Sequence, residues 1–188
     1  MPCSGVLLRA LTGAALILAG GATASAQEAC PAKGNAVVLT VAGAVSKPNR
    51  GAIDEATDRF LVFSERRFEK ARSFTTDELA ALGMATIRTP SAYDKQVHAL
   101  TGPTLASVLD AAGAGGGTVK VQAVDRYEAE LTREEMAKLN PILALCRNGK
   151  PLGLGDLGPV FLAYPTPETP TDDDFAKMIW SAVFIEVR

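Results

Sequence analysis

Few residues in this sequence have the types and spacing that catalytic or metal sites require. The 188 residues include one histidine, His98, and three cysteines, Cys3, Cys30 and Cys146. A zinc site needs several such ligands at short spacing, and neither a CxxC nor an HExxH pattern occurs. A serine nucleophile paired with His98 would need a GxSxG turn, which is missing. The sequence therefore predicts no catalytic residue and no metal ligand.

Charged residues form two local clusters, one of mixed sign at residues 65–72 and one of three aspartates at residues 172–174. Consecutive carboxylates alternate in direction and lack the spaced ligands of a calcium-binding loop. We therefore interpret the aspartates as the cap of a short helix. The mixed run is typical of a solvated surface.

The overall composition is that of a globular domain that does not bind nucleic acid. The formal net charge is −2, whereas nucleic-acid-binding domains carry a concentrated basic face. Hydrophobic residues make up 47% of the chain, and no repeat or linker divides it. We predict one domain with a substantial core at residues 27–188, preceded by a targeting segment.

The N-terminal segment, residues 1–26, has the pattern of a signal peptide. Arg9 supplies a positive charge, residues 10–21 are mostly small and apolar, and Ala24-Ser25-Ala26 forms an A-x-A cleavage site. The apolar run is too short to span a bilayer. The sequence thus predicts an exported, periplasmic domain without a transmembrane segment after cleavage, with an uncleaved N-terminal anchor as the alternative.

The cysteines allow two interpretations. Cys3 would leave with the signal peptide, and the remaining pair, Cys30 and Cys146, would favour a disulfide in an oxidising compartment. Alternatively, Cys146 is a small buried apolar residue and Cys30 a free residue on a loose end. Both interpretations stay open.

Hydrophobic periodicity predicts an α/β (α+β) fold in which short helices alternate with the strands of a mixed β-sheet. Capping boxes at residues 75–78 and 132–135 mark helix starts. A third helix begins at Pro103 and closes at Gly113. The Asn148-Gly149 pair predicts a tight hairpin. Strands are predicted at residues 36–41, 60–63, 85–88, 96–100, 119–123, 127–131, 142–147, 160–164 and 182–187.

Four short motifs lie between residues 100 and 165: a G-x-x-L helix ending in A-G, a D-x-Y turn, an L-A strand leading to G-x-x-L, and a G-P strand ending in proline. Their positions are held by Gly102, Leu105, Val108, Leu109, Ala112, Gly113, Asp125, Tyr127, Leu143, Ala144, Gly149, Leu152, Gly158, Pro159 and Pro165. This pattern resembles the molybdopterin-binding domain of the sulfite oxidase class of oxidoreductases. The resemblance implies that fold, with residues 36–188 covered.

The chain departs from that class where the metal would be held. The family binds molybdenum through one cysteine upstream of the G-x-x-L helix, and residues 82–100 contain none. Neutral hydroxyls such as those of Thr86, Thr89 and Ser91 are poor substitutes for a thiolate. Ile179 stands where many members have a lysine. The signal also lacks the twin arginines used to export folded, cofactor-loaded enzymes.

We therefore predict an exported, non-catalytic binding or sensing module with no cofactor. It would recognise a small anionic ligand or a membrane-bound signalling protein. Arg126 is the leading contact, because a turn arginine presents a planar donor fork suited to carboxylate or phosphate. Its alternative role is a surface salt bridge to Asp125 or Glu128. The predicted ligand-binding residues, chosen by position near strand ends and turns, are Tyr93, His98, Arg126, Tyr127 and Arg147.

Two other functions stay open. The resemblance implies a molybdopterin-dependent oxidoreductase acting on sulfite-like or sulfoxide-like substrates, with molybdopterin as its cofactor. A structural accessory subunit of another exported protein is the further alternative. Trp180 is expected in the core in each case.

Overall fold

The computed structural model describes Met1, residues 30–115 and residues 117–188. Apart from Met1, the predicted signal peptide at residues 1–26 lies outside the described residues. The strands are β1 (Val37–Gly43), β2 (Ala71–Thr75), β3 (Ala85–Pro90), β4 (Val97–Gly102), β5 (Val119–Ala123), β6 (Glu128–Leu131), β7 (Ile142–Ala144), β8 (Cys146–Arg147), β9 (Lys150–Pro151), β10 (Phe161–Ala163) and β11 (Ala182–Val187). The helices are α1 (Arg59–Phe63), α2 (Thr76–Ala81), α3 (Leu105–Ala112) and α4 (Arg133–Leu139), with a 3₁₀ turn at Asp172–Phe175.

The largest sheet has five strands in the order β2-β1-β11-β5-β6. It is mixed, because β1 pairs in parallel with β11 while the other neighbours are antiparallel. Alternating apolar residues such as Val119 and Val121 on β5 are fully buried, as a strand with one face on the core requires. The main core lies between this sheet and α3, whose buried residues are Leu105, Val108 and Ala112. The mixed α/β fold class is thereby confirmed.

Two smaller sheets complete the fold. One has the order β3-β4-β8-β9, and the other pairs β7 with β10. The hairpin between β8 and β9 turns at Asn148 and Gly149, whose φ angles are +50° and +72°. A two-residue turn with both φ angles positive matches the twist of the strands it joins, which explains why Asn-Gly predicts it correctly.

The predicted helix starts are also present. The Thr75 hydroxyl accepts a hydrogen bond from the Glu78 amide at 3.1 Å, and the Glu78 carboxylate accepts one from the Thr75 amide at 2.9 Å. Thr132 and Glu135 form the same reciprocal pair at the start of α4. Each pair satisfies two backbone groups that a helix leaves without partners. Every helix among the described residues is too short to cross a membrane.

The segment at residues 60–63 is helical, so the predicted strand there is wrong. The Val62 amide donates to the Asp58 carbonyl at 3.0 Å, and Leu61 is buried whereas Phe63 is 70% exposed. In a strand Leu61 and Phe63 would point to the same face. A helical turn places them on opposite sides, which allows Leu61 alone to enter the apolar cluster beside β2.

Cys30 and Cys146 form a disulfide with a Cα–Cα distance of 5.6 Å. Cys146 lies on β8 and is fully buried, and Cys30 packs against the main core. The bond connects the segment before β1 to the four-stranded sheet that carries the β8–β9 hairpin.

Candidate functional site

A cavity of about 620 Å³ opens where three parts of the chain meet. These are the β3–β4 loop, the turn between β5 and β6, and residues 172–181. Three buried residues from a second apolar cluster, Leu100, Phe161 and Met178, contribute to its wall. Further lining residues include Ser91, Tyr93, His98, Val124, Asp125, Tyr127, Arg147, Leu157, Asp172, Phe175 and Trp180.

Two exposed aromatic rings stand together in the cavity lining. The ring centroids of Tyr93 and Trp180 are 5.0 Å apart, and their planes meet at 67°. Edge-to-face contact of this kind is favourable for aromatic pairs. The Tyr93 and Trp180 residues are nevertheless 67% and 42% exposed. Large aromatic surface therefore remains available for a ligand in the cavity.

Trp180 was expected in the core, and this expectation is wrong. The preceding residue, Ile179, exchanges backbone hydrogen bonds with Leu162 and is fully buried. Ile179 therefore takes the core position, whereas Trp180 lies in the turn that follows it and lines the cavity. Trp180 and the neighbouring Phe175 and Met178 are among the lining residues that the sequence analysis did not predict. Met178, Ile179 and Trp180 are three consecutive apolar residues, so no alternation in the sequence shows which of them is exposed.

His98 lies in the cavity lining with both ring nitrogens engaged. The Asn148 side-chain oxygen accepts from the Ala99 amide at 2.9 Å, so its NH₂ group faces His98 Nδ1 at 3.0 Å. Nδ1 must accept that hydrogen bond, and Nε2 therefore carries the proton that it donates to Asp94 at 2.9 Å. His98 thus joins β4, the hairpin and the β3–β4 loop, and presents no unused nitrogen to a ligand.

Arg147 also lines the cavity, but its guanidinium is already paired. Its Nη2 lies 3.0 Å and 3.1 Å from the two carboxylate oxygens of Asp156. Both side chains are about one-third exposed, so solvent screens the pair and it contributes little to stability. The pair matters because it neutralises the positive charge that this residue brings to the cavity.

Tyr127 is fixed in the lining by two bonds. Its hydroxyl donates to the Ala176 carbonyl at 2.9 Å, and its amide donates to the Asp125 carboxylate at 2.9 Å. The first bond connects the β5–β6 turn to the segment after the 3₁₀ turn. The second is a local aspartate turn that orients the Asp125 side chain.

Arg126, the leading ligand contact in the sequence analysis, is not among the residues that line the cavity. It occupies the left-handed region with φ of +75°, and its guanidinium lies 5.5 Å from the centroid of the Phe63 ring. The alternative salt bridge to Asp125 or Glu128 is not formed either. The Asp125 carboxylate accepts from the Tyr127 amide, and the Glu128 carboxylate pairs with Arg66 and Lys120. The turn directs Arg126 towards α1, and sequence spacing alone does not reveal this direction. The other four predicted residues do meet in one cavity.

The residues around the cavity do not fit a molybdopterin cofactor. Cys30 and Cys146 are bonded to each other, so neither of these described cysteines offers a thiolate. Arg147, the one cation lining the cavity among the described residues, is occupied by Asp156, whereas the cofactor's phosphate needs a basic partner. Within the described part of the chain, no cluster of histidine, cysteine, aspartate and glutamate is suited to a metal ion.

Comparison with known protein families finds no match for this chain, and a search of curated proteins finds no relative.

The contact between Asp94 and His98 predicts that the stability of the fold depends on pH. A hydrogen bond from the Gln96 amide, together with the one from His98, lowers the pKa of Asp94 below its usual value. Stability from a carboxylate with a lowered pKa is fully present above the unfolded-state value of about 4 and is lost as the pH falls through the folded-state value. Wild type should therefore be more stable than Asp94→Asn at neutral pH, with the difference shrinking in acid.

Urea unfolding of both proteins at neutral pH and at two values below about 4 measures this difference. A gap that stays constant across these conditions would show that ionised Asp94 does not stabilise the fold.

Proposed function

We propose that this protein is a non-catalytic binding module that takes a small organic ligand with a largely apolar ring body. The observation that carries the proposal is the cavity of about 620 Å³, with the exposed pair Tyr93 and Trp180 beside an apolar wall. Pockets for small ligands usually measure about 300–1,000 Å³ and combine apolar walls with a few polar groups. This cavity has both properties.

The two basic groups of the cavity, His98 and Arg147, support binding rather than chemistry. A general base needs a free nitrogen or oxygen within reach of the substrate proton. Both nitrogens of His98 are bonded within the protein, and Arg147 is held by Asp156. These groups are arranged to keep the cavity walls in position.

We also propose that the scaffold is a variant of the sulfite oxidase molybdopterin domain that has lost its cofactor. The motif residues support this, since Gly102 ends β4, Leu105 and Val108 form the buried face of α3, and Gly113 caps it. Export to the periplasm is part of the same proposal, and the disulfide supports it because such bonds persist in oxidising compartments. A bound ligand could then be sensed by a membrane-bound signalling protein.

The test is a titration of the protein with 4-tert-butylphenol, a neutral and water-soluble ring compound. Trp180 is the single tryptophan of the chain, so its fluorescence reports on the cavity without interference from other indoles. We expect a saturable change in emission with a dissociation constant of about 1 mM or below, which corresponds to about −4 kcal/mol. Isothermal titration calorimetry supplies an independent dissociation constant.

A variant that fills the cavity provides the control. Ala92 lines the cavity, and Ala92→Phe should weaken binding at least about tenfold by occupying ligand space. Ala52 is exposed and outside the lining, so Ala52→Phe should bind like wild type. Failure of wild type to bind either the phenol or a charged ring compound of similar shape, or equal binding by both variants, would overturn the proposed function.

A further inference from the structure

We infer that the ligand of this cavity is an organic cation: a ring compound that carries a compact ammonium group. This inference rests on the proposed function and assigns its ligand class. It differs from the anionic ligand that the sequence analysis predicted, because the cavity brings together aromatic faces and carboxylates.

The aromatic part of the argument is the corner formed by Tyr93 and Trp180. Their rings meet at 67°, so a group placed in the corner would contact two differently oriented aromatic surfaces. Tyr127, Phe161 and Phe175 add further aromatic residues to the same cavity, and the Tyr127 hydroxyl donates to the Ala176 carbonyl. Aromatic faces attract ammonium groups through the ring quadrupole, most strongly for tryptophan, and several rings around one site are typical of quaternary ammonium recognition.

The charges of the cavity also favour a cationic ligand. Asp125 and Asp172 both line it, and neither forms a salt bridge with any lysine or arginine of the described chain. One oxygen of Asp125 accepts the Tyr127 amide, which orients the carboxylate while leaving its negative charge uncompensated. Arg147 contributes no net charge, because Asp156 neutralises it. The lining is therefore net negative.

The same charges disfavour an anionic ligand. It would have to displace Asp156 from Arg147 to gain a charged contact, and would still lie in a cavity with two uncompensated carboxylates. Asp125 and Asp172 are exposed, so solvent and salt weaken the repulsion but do not reverse its sign. A cation gains from both carboxylates and displaces nothing.

The experiment compares three ligands of nearly equal shape by isothermal titration calorimetry on the full mature protein. They are (4-hydroxyphenyl)trimethylammonium, its neutral carbon isostere 4-tert-butylphenol, and the anion 4-tert-butylbenzoate. We expect the cation to bind about tenfold more tightly than the neutral isostere, and the anion to bind more weakly than both. The advantage of the cation should fall as salt is added, because its charge contacts are partly exposed to solvent.

Two substitutions that remove a negative charge test whether the carboxylates cause the preference for the cation. Asp125→Asn keeps the oxygen that accepts the Tyr127 amide, so the turn is preserved. Combined with Asp172→Asn, it should reduce the preference for the cation to about twofold while leaving the affinity for 4-tert-butylphenol unchanged. Asp173→Asn, next in the 3₁₀ turn but outside the lining, is the matched control and should retain the full preference.

The outcomes separate the two proposals. If 4-tert-butylphenol and the cation bind wild type equally, the cavity is a binding site but the charge inference is wrong. If the anion binds most tightly, the inference is overturned in favour of recognition through Arg147. If none of the three ligands binds, the proposed function itself fails.

Discussion

Replacing Cys30 and Cys146 together with alanine is expected to lower the free energy of unfolding by about 3–5 kcal/mol. The bond joins residues separated by 116 positions, and a crosslink over so long a loop removes much of the conformational entropy of the unfolded chain. Cys146 is also fully buried, so alanine leaves a small void beside it. Urea denaturation, with the m-value fitted for each protein, measures the loss.

Reduction provides the matched control for the disulfide. A reductant should destabilise wild type by a similar amount and should leave the double variant unchanged. Thiol titration of the unreduced, denatured protein, produced as residues 27–188, should detect no free thiol. Two free thiols, or equal stability of wild type and variant, would contradict the role assigned to the bond.

The second large effect is expected for Gly102→Ala, at the end of β4. A Cβ atom there would collide with the backbone carbonyl of Leu143 and lie 2.7 Å from the Cα atom of Ala144. These neighbours are backbone atoms of β7, which is buried and hydrogen-bonded to β10, so they cannot move aside independently. We expect a loss of about 3 kcal/mol in the free energy of unfolding.

Gly153→Ala is the control for this substitution. A Cβ at Gly153 meets no atom within 4 Å and needs no unusual backbone conformation, so the change should be close to neutral. Thermal unfolding of both variants beside wild type tests the comparison. Equal melting temperatures for Gly102→Ala and Gly153→Ala would show that β4 and β7 adjust without cost.

Local signals in the sequence predicted much of this fold. The capping boxes at residues 75–78 and 132–135 and the Asn148-Gly149 hairpin form as expected, because their hydrogen bonds and backbone angles involve only neighbouring residues. Strands with alternating apolar residues were predicted because the alternation itself indicates a half-buried strand, although the strands that pair with them are distant in the chain. The helix at residues 59–63 was missed, since its short apolar run has no periodicity long enough to distinguish helix from strand.

The cavity was only partly predictable, because its residues come from segments far apart in the chain. Four predicted residues, Tyr93, His98, Tyr127 and Arg147, do line it. Arg126 was misplaced because the left-handed backbone of its turn directs the side chain towards Phe63. The expected anionic ligand was inferred from arginines without knowledge of their partners. The sequence does not reveal that Asp156 neutralises Arg147.

The most direct measurement of the central claim is an NMR titration of isotope-labelled protein with (4-hydroxyphenyl)trimethylammonium and 4-tert-butylphenol. The single Trp180 indole N–H gives one assignable signal inside the cavity lining. A binding module with its site in this cavity predicts that this signal shifts and saturates with at least one of the two ligands, and that Ala92→Phe suppresses the shift. Two results would contradict this claim. One is an indole signal that stays fixed while the protein binds a ligand, and the other is a protein that binds neither ligand.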